Sequence, residues 1–138
     1  SGEFAEKFEK RDLKEILNLP EEPAYVWADG SRTWRILENI YNNAAKYALE
    51  GSRIYADLKL TGTEVVFSLK NVSEQPLNIS ADELTERFIR GDVSRSTEGS
   101  GLGLSIARDL AKLMNAKFEL YLDGDLFRVT ITFARIND

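Results

Sequence analysis

Asn39, Asn43 and Lys46 recur one helical turn apart within Arg35-Ile36-Leu37-Glu38-Asn39-Ile40-Tyr41-Asn42-Asn43-Ala44-Ala45-Lys46-Tyr47-Ala48. An amide oxygen can ligate a hard cation such as magnesium, and an ammonium group one turn on can neutralise a phosphate. Asparagine is a poor helix former because its amide competes with the backbone for hydrogen bonds. A plain surface helix would carry Glu, Lys or Gln at Asn39, Asn42 and Asn43, so helix propensity is given up here. Every surface helix has a polar face, however, and Lys46 taken alone carries little.

A second group of residues is Gly99-Ser100-Gly101-Leu102-Gly103-Leu104-Ser105, which opens a helix. Glycines at alternate positions let backbone N–H groups approach a ligand, and a helix N-terminus adds unpaired donors and partial positive charge. A hinge before a helix would look similar. The dinucleotide fingerprint needs a strand just before the glycines, whereas here a long loop precedes them. The Gly-x-x-x-x-Gly-Lys-Ser/Thr pattern of a P-loop is absent. Upstream, Arg87, Arg90 and Arg95 stand among Glu86, Asp92 and Glu98. They read either as locally balanced solvated charge or as phosphate contacts reaching toward the turn.

Composition narrows the chemistry further. The 138 residues include no histidine and no cysteine. That excludes Ser-His-Asp and Cys-His triads, zinc fingers, thiol redox chemistry and disulfides. A metal would need oxygen ligands, which favours magnesium over zinc. Net charge is −5, which argues against a general nucleic-acid or anionic-membrane binder. No apolar run is long enough to span a bilayer, and none reads as a signal peptide.

These residues must be held by a scaffold, and the length suits one domain over residues 1–138. Glu3 to Lys10 reads as a short helix, Leu13 to Leu19 and Tyr25 to Ala28 as strands, and Thr33 to Leu49 as the longest helix. On the helical wheel Leu37, Ile40, Tyr41, Ala44 and Ala48 form the expected core face, with Asn39, Asn43 and Lys46 opposite. Arg53 to Leu60 and Glu64 to Val72 alternate and should pair around Thr61-Gly62-Thr63. Residues 74–100 read as a long lid with a helix signal near Asp82 to Arg87. A helix from Gly103 to about Met114 follows, then a hairpin of Phe118 to Leu122 and Leu126 to Phe133 around Asp123-Gly124-Asp125. The expected class is α+β, a two-layer sandwich with one sheet covered on one face by helices.

Three stretches together resemble the catalytic, ATP-binding domain of bacterial sensor histidine kinases. That family shares a superfamily with DNA gyrase, mismatch-repair ATPases and heat-shock chaperone ATPases. Arg35 to Ala48 is similar to its asparagine box, Glu86-Arg87-Phe88-Ile89-Arg90-Gly91-Asp92 to its phenylalanine box, and Gly99 to Ala107 to its second glycine box. The resemblance implies the Bergerat-type sandwich, with a mixed, mostly antiparallel sheet and about three helices. It implies ATP and Mg2+ as cofactors, with Asn43 on the metal and Asn39 and Lys46 completing the metal and phosphate site. Tyr47 would lie against the adenine. Arg90 and Arg95 would reach the phosphates, and Gly99, Gly101, Leu102, Gly103 and Leu104 would form the turn around them. Phe88 would anchor the lid.

Asn39 stands where the family's hydrolases carry a glutamate that activates water. An amide cannot take that proton, so phosphoryl transfer is favoured over hydrolysis, and over a serine kinase of the anti-sigma-factor type. One box departs from the pattern: Asn71-Val72-Ser73-Glu74-Gln75 replaces Asp-x-Gly-x-Gly. Asn71 can still accept a hydrogen bond from the adenine amino group, but a neutral acceptor bonds more weakly than a carboxylate. A degenerate module kept for regulation or protein interaction is therefore the alternative expectation. With no histidine in the chain, the resemblance implies a phosphoacceptor histidine on a separate dimerisation domain of the same parent protein, probed in turn by a response regulator. It implies a cytoplasmic domain of a membrane sensor, with no nucleic-acid or membrane contact of its own.

Overall fold

The computed structural model describes residues 2–74 and 102–136. Among them, three helices cover one face of a five-stranded sheet. The elements run α1 (Gly2–Lys10), β1 (Lys14–Asn18), α2 (Gly30–Tyr47), β2 (Arg53–Leu60), β3 (Glu64–Val72), α3 (Leu102–Leu113), β4 (Lys117–Asp123) and β5 (Leu126–Ala134). The strand order is β1-β2-β3-β5-β4. Only β1 and β2 pair in parallel, with α2 as the crossover between them, and the other pairs are antiparallel. This is the expected α+β sandwich.

Local chemistry explains the element ends. Asp29 caps α2: its backbone is extended and its carboxylate accepts from the Arg32 N–H at 2.9 Å. The cap starts the helix at Gly30, three residues ahead of Thr33. At the other end Ala48 turns extended and makes an isolated antiparallel bridge to Ser73. Gly51 then takes φ +82, a conformation that suits glycine, as the chain turns into β2. Asn115, at φ 57, closes α3 in the left-handed conformation common just past a helix end.

The alternation read from β2 and β3 holds. Ile54, Ala56, Val65 and Leu69 are buried against the helices, joined by Phe127, Val129, Ile131 and Phe133 of β5. The segment read as a strand over Tyr25 to Ala28 is reduced to one bridge, Val26 with Arg135, and Trp27 is 84% exposed. Pro23 and the lack of a continuous neighbour leave this segment no ladder to join. The helix signal near Asp82 to Arg87 lies outside the described residues.

The helical wheel of α2 needs rotating. Its fully buried core residues are Ile36, Ile40 and Ala44, with Ala48 just past its end, while Leu37 is half-buried against the core. Asn43, expected opposite the core, is 8% exposed. The reason is that α2 faces three partners, the sheet below and α3 and α1 on either side. The polar stripe borders the core along the α3 side. Arg35 is exposed, Glu38 is half-buried, and Asn42 turns to α1, where it accepts from the Lys7 ammonium at 2.7 Å.

Candidate nucleotide site

Three pieces of the fold meet at one end of the sheet. They are the middle and C-terminal turns of α2, the N-terminus of α3 and the last residues of β3. A Cβ added to Gly103 would come 3.7 Å from the Asn39 Cβ and 3.8 Å from its carbonyl oxygen. The first turn of α3 therefore lies directly against Asn39. That turn is built from Leu102, Gly103, Leu104 and Ser105, and a first helical turn aims its N–H groups out of the helix end. The side chain of Leu104 is 1% exposed and belongs to the core, so only its backbone is free to face a ligand.

The amides show what this place lacks. Asn39 Nδ2 is buried and has no hydrogen-bond partner. Leaving such a donor unmade costs about 1–3 kcal/mol, so it is not kept for stability. Asn43 is nearly buried one turn on, and Lys46 follows, half-buried, with its ammonium 5.7 Å from the Tyr47 ring centroid. On the facing strand Asn71 is 3% exposed and points to the helix side, paired across the sheet with Ile54 and Phe127. Asn39, Asn43, Lys46, Tyr47, Asn71, Gly103 and Leu104 thus fall on the three neighbouring pieces. Phe88, Arg90, Arg95, Gly99 and Gly101 lie outside the described residues.

A lock that the sequence reading missed closes the end of this site. Leu49 N–H donates to the Val72 carbonyl at 2.8 Å, and Glu74 N–H to the Tyr47 carbonyl at 2.9 Å. Ser73 N–H donates to the Asp125 carbonyl at 2.7 Å. Arg11 sits across the seam. Its guanidinium donates to the carbonyls of Ala45, at 2.9 Å, and Lys46, and to the Glu74 carboxylate at 2.9 Å. A cation on the free carbonyls of a helix C-terminus satisfies acceptors and complements the dipole. Arg11 stands 63 residues from Glu74, and nothing local in the sequence announces that pairing. A second brace holds the middle of α2. Tyr41 donates to the Glu15 carboxylate at 2.7 Å and stacks with Phe8 at 6.2 Å. Burial, then the Glu15 bond and charge, raise the Tyr41 pKa well above its ordinary value.

Among the described residues no three His, Cys, Asp or Glu side chains gather as a metal cluster. No helix among them is long and apolar enough to cross a membrane. A metal at this site would find amide oxygens rather than carboxylates. That suits magnesium held chiefly by phosphates and water, to which one protein oxygen is enough.

Residues 28–135 match the model of the histidine kinase-, DNA gyrase B- and HSP90-like ATPase family. The chain is 33% identical over 122 residues to the sensor histidine kinase HprS of Escherichia coli, covering 87% of this chain and 27% of that protein. It is 29% identical over 112 residues to the sensor histidine kinase WalK of Bacillus subtilis, covering 78% of this chain and 18% of that protein. The solved catalytic domain of the histidine kinase ThkA superposes with a TM-score of 0.80 at 25% identity, covering 96% of this chain and 86% of that one. The chain thus spans under a third of the length of these sensor kinases but nearly all of an isolated catalytic domain. The family match, the sheet order and the amides gathered against the N-terminus of α3 agree, and the chain belongs to the histidine kinase-, DNA gyrase B- and HSP90-like ATPase family, as an ATP-binding catalytic domain of the sensor histidine kinase type.

Proposed function

We propose that this chain binds Mg-ATP between α2, α3 and the end of β3, and passes the γ-phosphoryl group to a histidine on a separate domain of its parent protein. The observation that carries this reading is the buried, unpartnered Nδ2 of Asn39 beside Gly103. A donor left unsatisfied next to a helix N-terminus suits an anionic ligand that both would contact.

The residues divide the work by chemistry. Asn43 offers an amide oxygen to the cation, and Lys46 offers charge to phosphate. With Asn43 as its protein ligand, magnesium would supply positive charge to offset that of the phosphates. The backbone N–H groups at the start of α3 and the lid residues Arg90 and Arg95 would hold the remaining oxygens. Tyr47 would lie along the adenine, and Asn71 would accept from its amino group. Catalysis of this kind is positioning and charge neutralisation. Asn39 has no basic group with which to activate water, so transfer to a protein nucleophile is favoured over hydrolysis. The chain has no histidine, so the acceptor must come from outside it. A histidine-bearing dimerisation domain and a response regulator complete the proposed pathway, in a parent protein anchored at a membrane with this domain on the cytoplasmic side.

The test is saturable nucleotide binding in the presence of magnesium, compared between wild type and Asn43→Ala. Wild type should bind, and the substitution should remove the magnesium-dependent part of the affinity. No saturable binding by wild type, or an unchanged magnesium dependence, refutes the site. A second reading rests on Asn71-Val72-Ser73, where Ser73 is tied to Asp125: a nucleotide site retained only for regulation or interaction. Adding the parent protein's histidine-bearing domain with labelled ATP separates the two, because phosphohistidine excludes the second reading.

A further inference from the structure

The face of the sheet turned away from the helices carries a row of four side chains in direct register. Tyr55 of β2 pairs with Lys70 of β3, Lys70 with Arg128 of β5, and Arg128 with Tyr121 of β4. Neighbouring strands lie about 4.8 Å apart, so the row crosses roughly 14 Å of surface. The two cations are held over the two rings: Lys70 Nζ is 5.2 Å from the Tyr55 centroid, and the Arg128 guanidinium carbon 4.4 Å from that of Tyr121. The adjoining row adds Lys14 and Arg53, which pair with each other at the start of β1 and β2. Val72 and Tyr121 contribute apolar surface, at 38% and 43% exposure. Within these two rows the carboxylate is Asp123 at the corner, within 3.4 Å of the Tyr121 hydroxyl, and the next row brings Asp57, which accepts from Asn18 at 2.7 Å, and Glu119.

None of the four cations forms an ion pair among the described residues. Three arginines on other surfaces behave differently. Arg11 pairs with Glu74, Arg108 with Asp109 and Arg135 with Glu22. Arg128 Nε is even shielded from solvent with no hydrogen-bond partner. Four cations without an ion pair among the described residues thus share one flat half-face of a chain whose net charge is −5.

We propose that this half-face is a docking surface for an acidic segment of a partner protein. Charge complementarity chooses the occupant. A bilayer or a nucleic acid extends well beyond one Debye length, about 10 Å, and meets the negative charge of the rest of the chain. A short acidic segment can lie within the patch alone. An arginine stacked on a tyrosine keeps its outer edge free for a carboxylate, and the rings give an aromatic or aliphatic neighbour of the acid a surface to cover. This surface lies on the opposite side of the sheet from Asn71, so it does not depend on the nucleotide reading.

The test is fluorescence anisotropy of a labelled glutamate-rich peptide with this chain, alongside sedimentation with phosphatidylglycerol vesicles. The peptide should bind at about 0.05 M salt and weaken steeply by about 0.3 M. Joint Lys70→Glu and Arg128→Glu substitution should weaken it at least about tenfold. A Lys112→Glu control on α3 should leave it unchanged. Should the first pair fail to fold by circular dichroism, the exposed pair Lys14→Glu and Arg53→Glu serves, with the same expectation. Equal weakening by Lys112→Glu, binding that survives the charge reversals, or patch-dependent binding to vesicles with none to the peptide would each overturn the proposal.

Discussion

Replacing Asn39 by leucine should make the domain more stable while removing its ligand. The two side chains have the same branched shape, so the change adds little bulk beside Gly103, where a Cβ would already sit at an ordinary 3.7 Å. What it removes is the buried Nδ2 donor with no partner. That relieves roughly 1–2 kcal/mol of the desolvation cost of an unmade hydrogen bond. Leucine is also the better helix former by a few tenths of a kcal/mol. For a domain of this size each kcal/mol moves Tm by about 3–4 °C, so Asn39→Leu should melt roughly 3–8 °C higher without nucleotide. Nucleotide then reverses the order. At a ligand concentration about 100 times its Kd, wild type gains about 2.7 kcal/mol from mass action, while the variant gains little. The assay is thermal unfolding of both proteins with and without Mg-ATP. A variant that melts lower than wild type without nucleotide would show that Asn39 is structural. Equal nucleotide shifts in both would show that its amide faces no ligand.

Three other predictions test the packing. Ile36→Ala should destabilise by about 2–5 kcal/mol, and Leu37→Ala by clearly less, because only Ile36 is fully buried; urea unfolding of the pair decides. Arg11→Met should cost about 2–3 kcal/mol by freeing two helix-end carbonyls, whereas Glu74→Gln should cost under about 1 kcal/mol, since its carboxylate is half-exposed. Similar losses in the two would refute the helix-end role of Arg11. Tyr41 has its folded pKa raised, so its contribution to stability is complete below the unfolded pKa near 10 and is lost as pH rises beyond it. Wild type should therefore lose more Tm than Tyr41→Phe between about pH 9 and about pH 11, and parallel curves would refute the assignment.

Much of this molecule is legible one element at a time. Alternation in β2 and β3 predicted both the hairpin and its buried face, because a strand's period of two survives whatever packs on it. The helical pattern of Thr33 to Leu49 placed α2 to within three residues at either end, the shift at its start coming from the Asp29 cap. The wheel of α2 went astray because periodicity reports that a helix is amphipathic, not how many neighbours it has. With α3 alongside, the buried arc widens until it takes in Asn43. The Tyr25 to Ala28 segment failed for a similar reason, since a strand exists only where another offers it a ladder.

The candidate site divides in the same way. Residue types and spacing alone named Asn39, Asn43, Lys46 and the glycine turn as groups suited to phosphate and a hard cation, and the absence of histidine excluded imidazole chemistry within the chain. Tertiary structure decided that Gly103 rests against Asn39, that Asn39 keeps a donor without a partner, and that Arg11 ties the end of α2 to Glu74. It also decided that Lys14, Arg53, Lys70 and Arg128 share one half-face of the sheet. Helical and strand periods are local and are written in consecutive residues. Contacts between residues tens of positions apart depend on how whole elements pack, and no stretch of sequence carries that by itself.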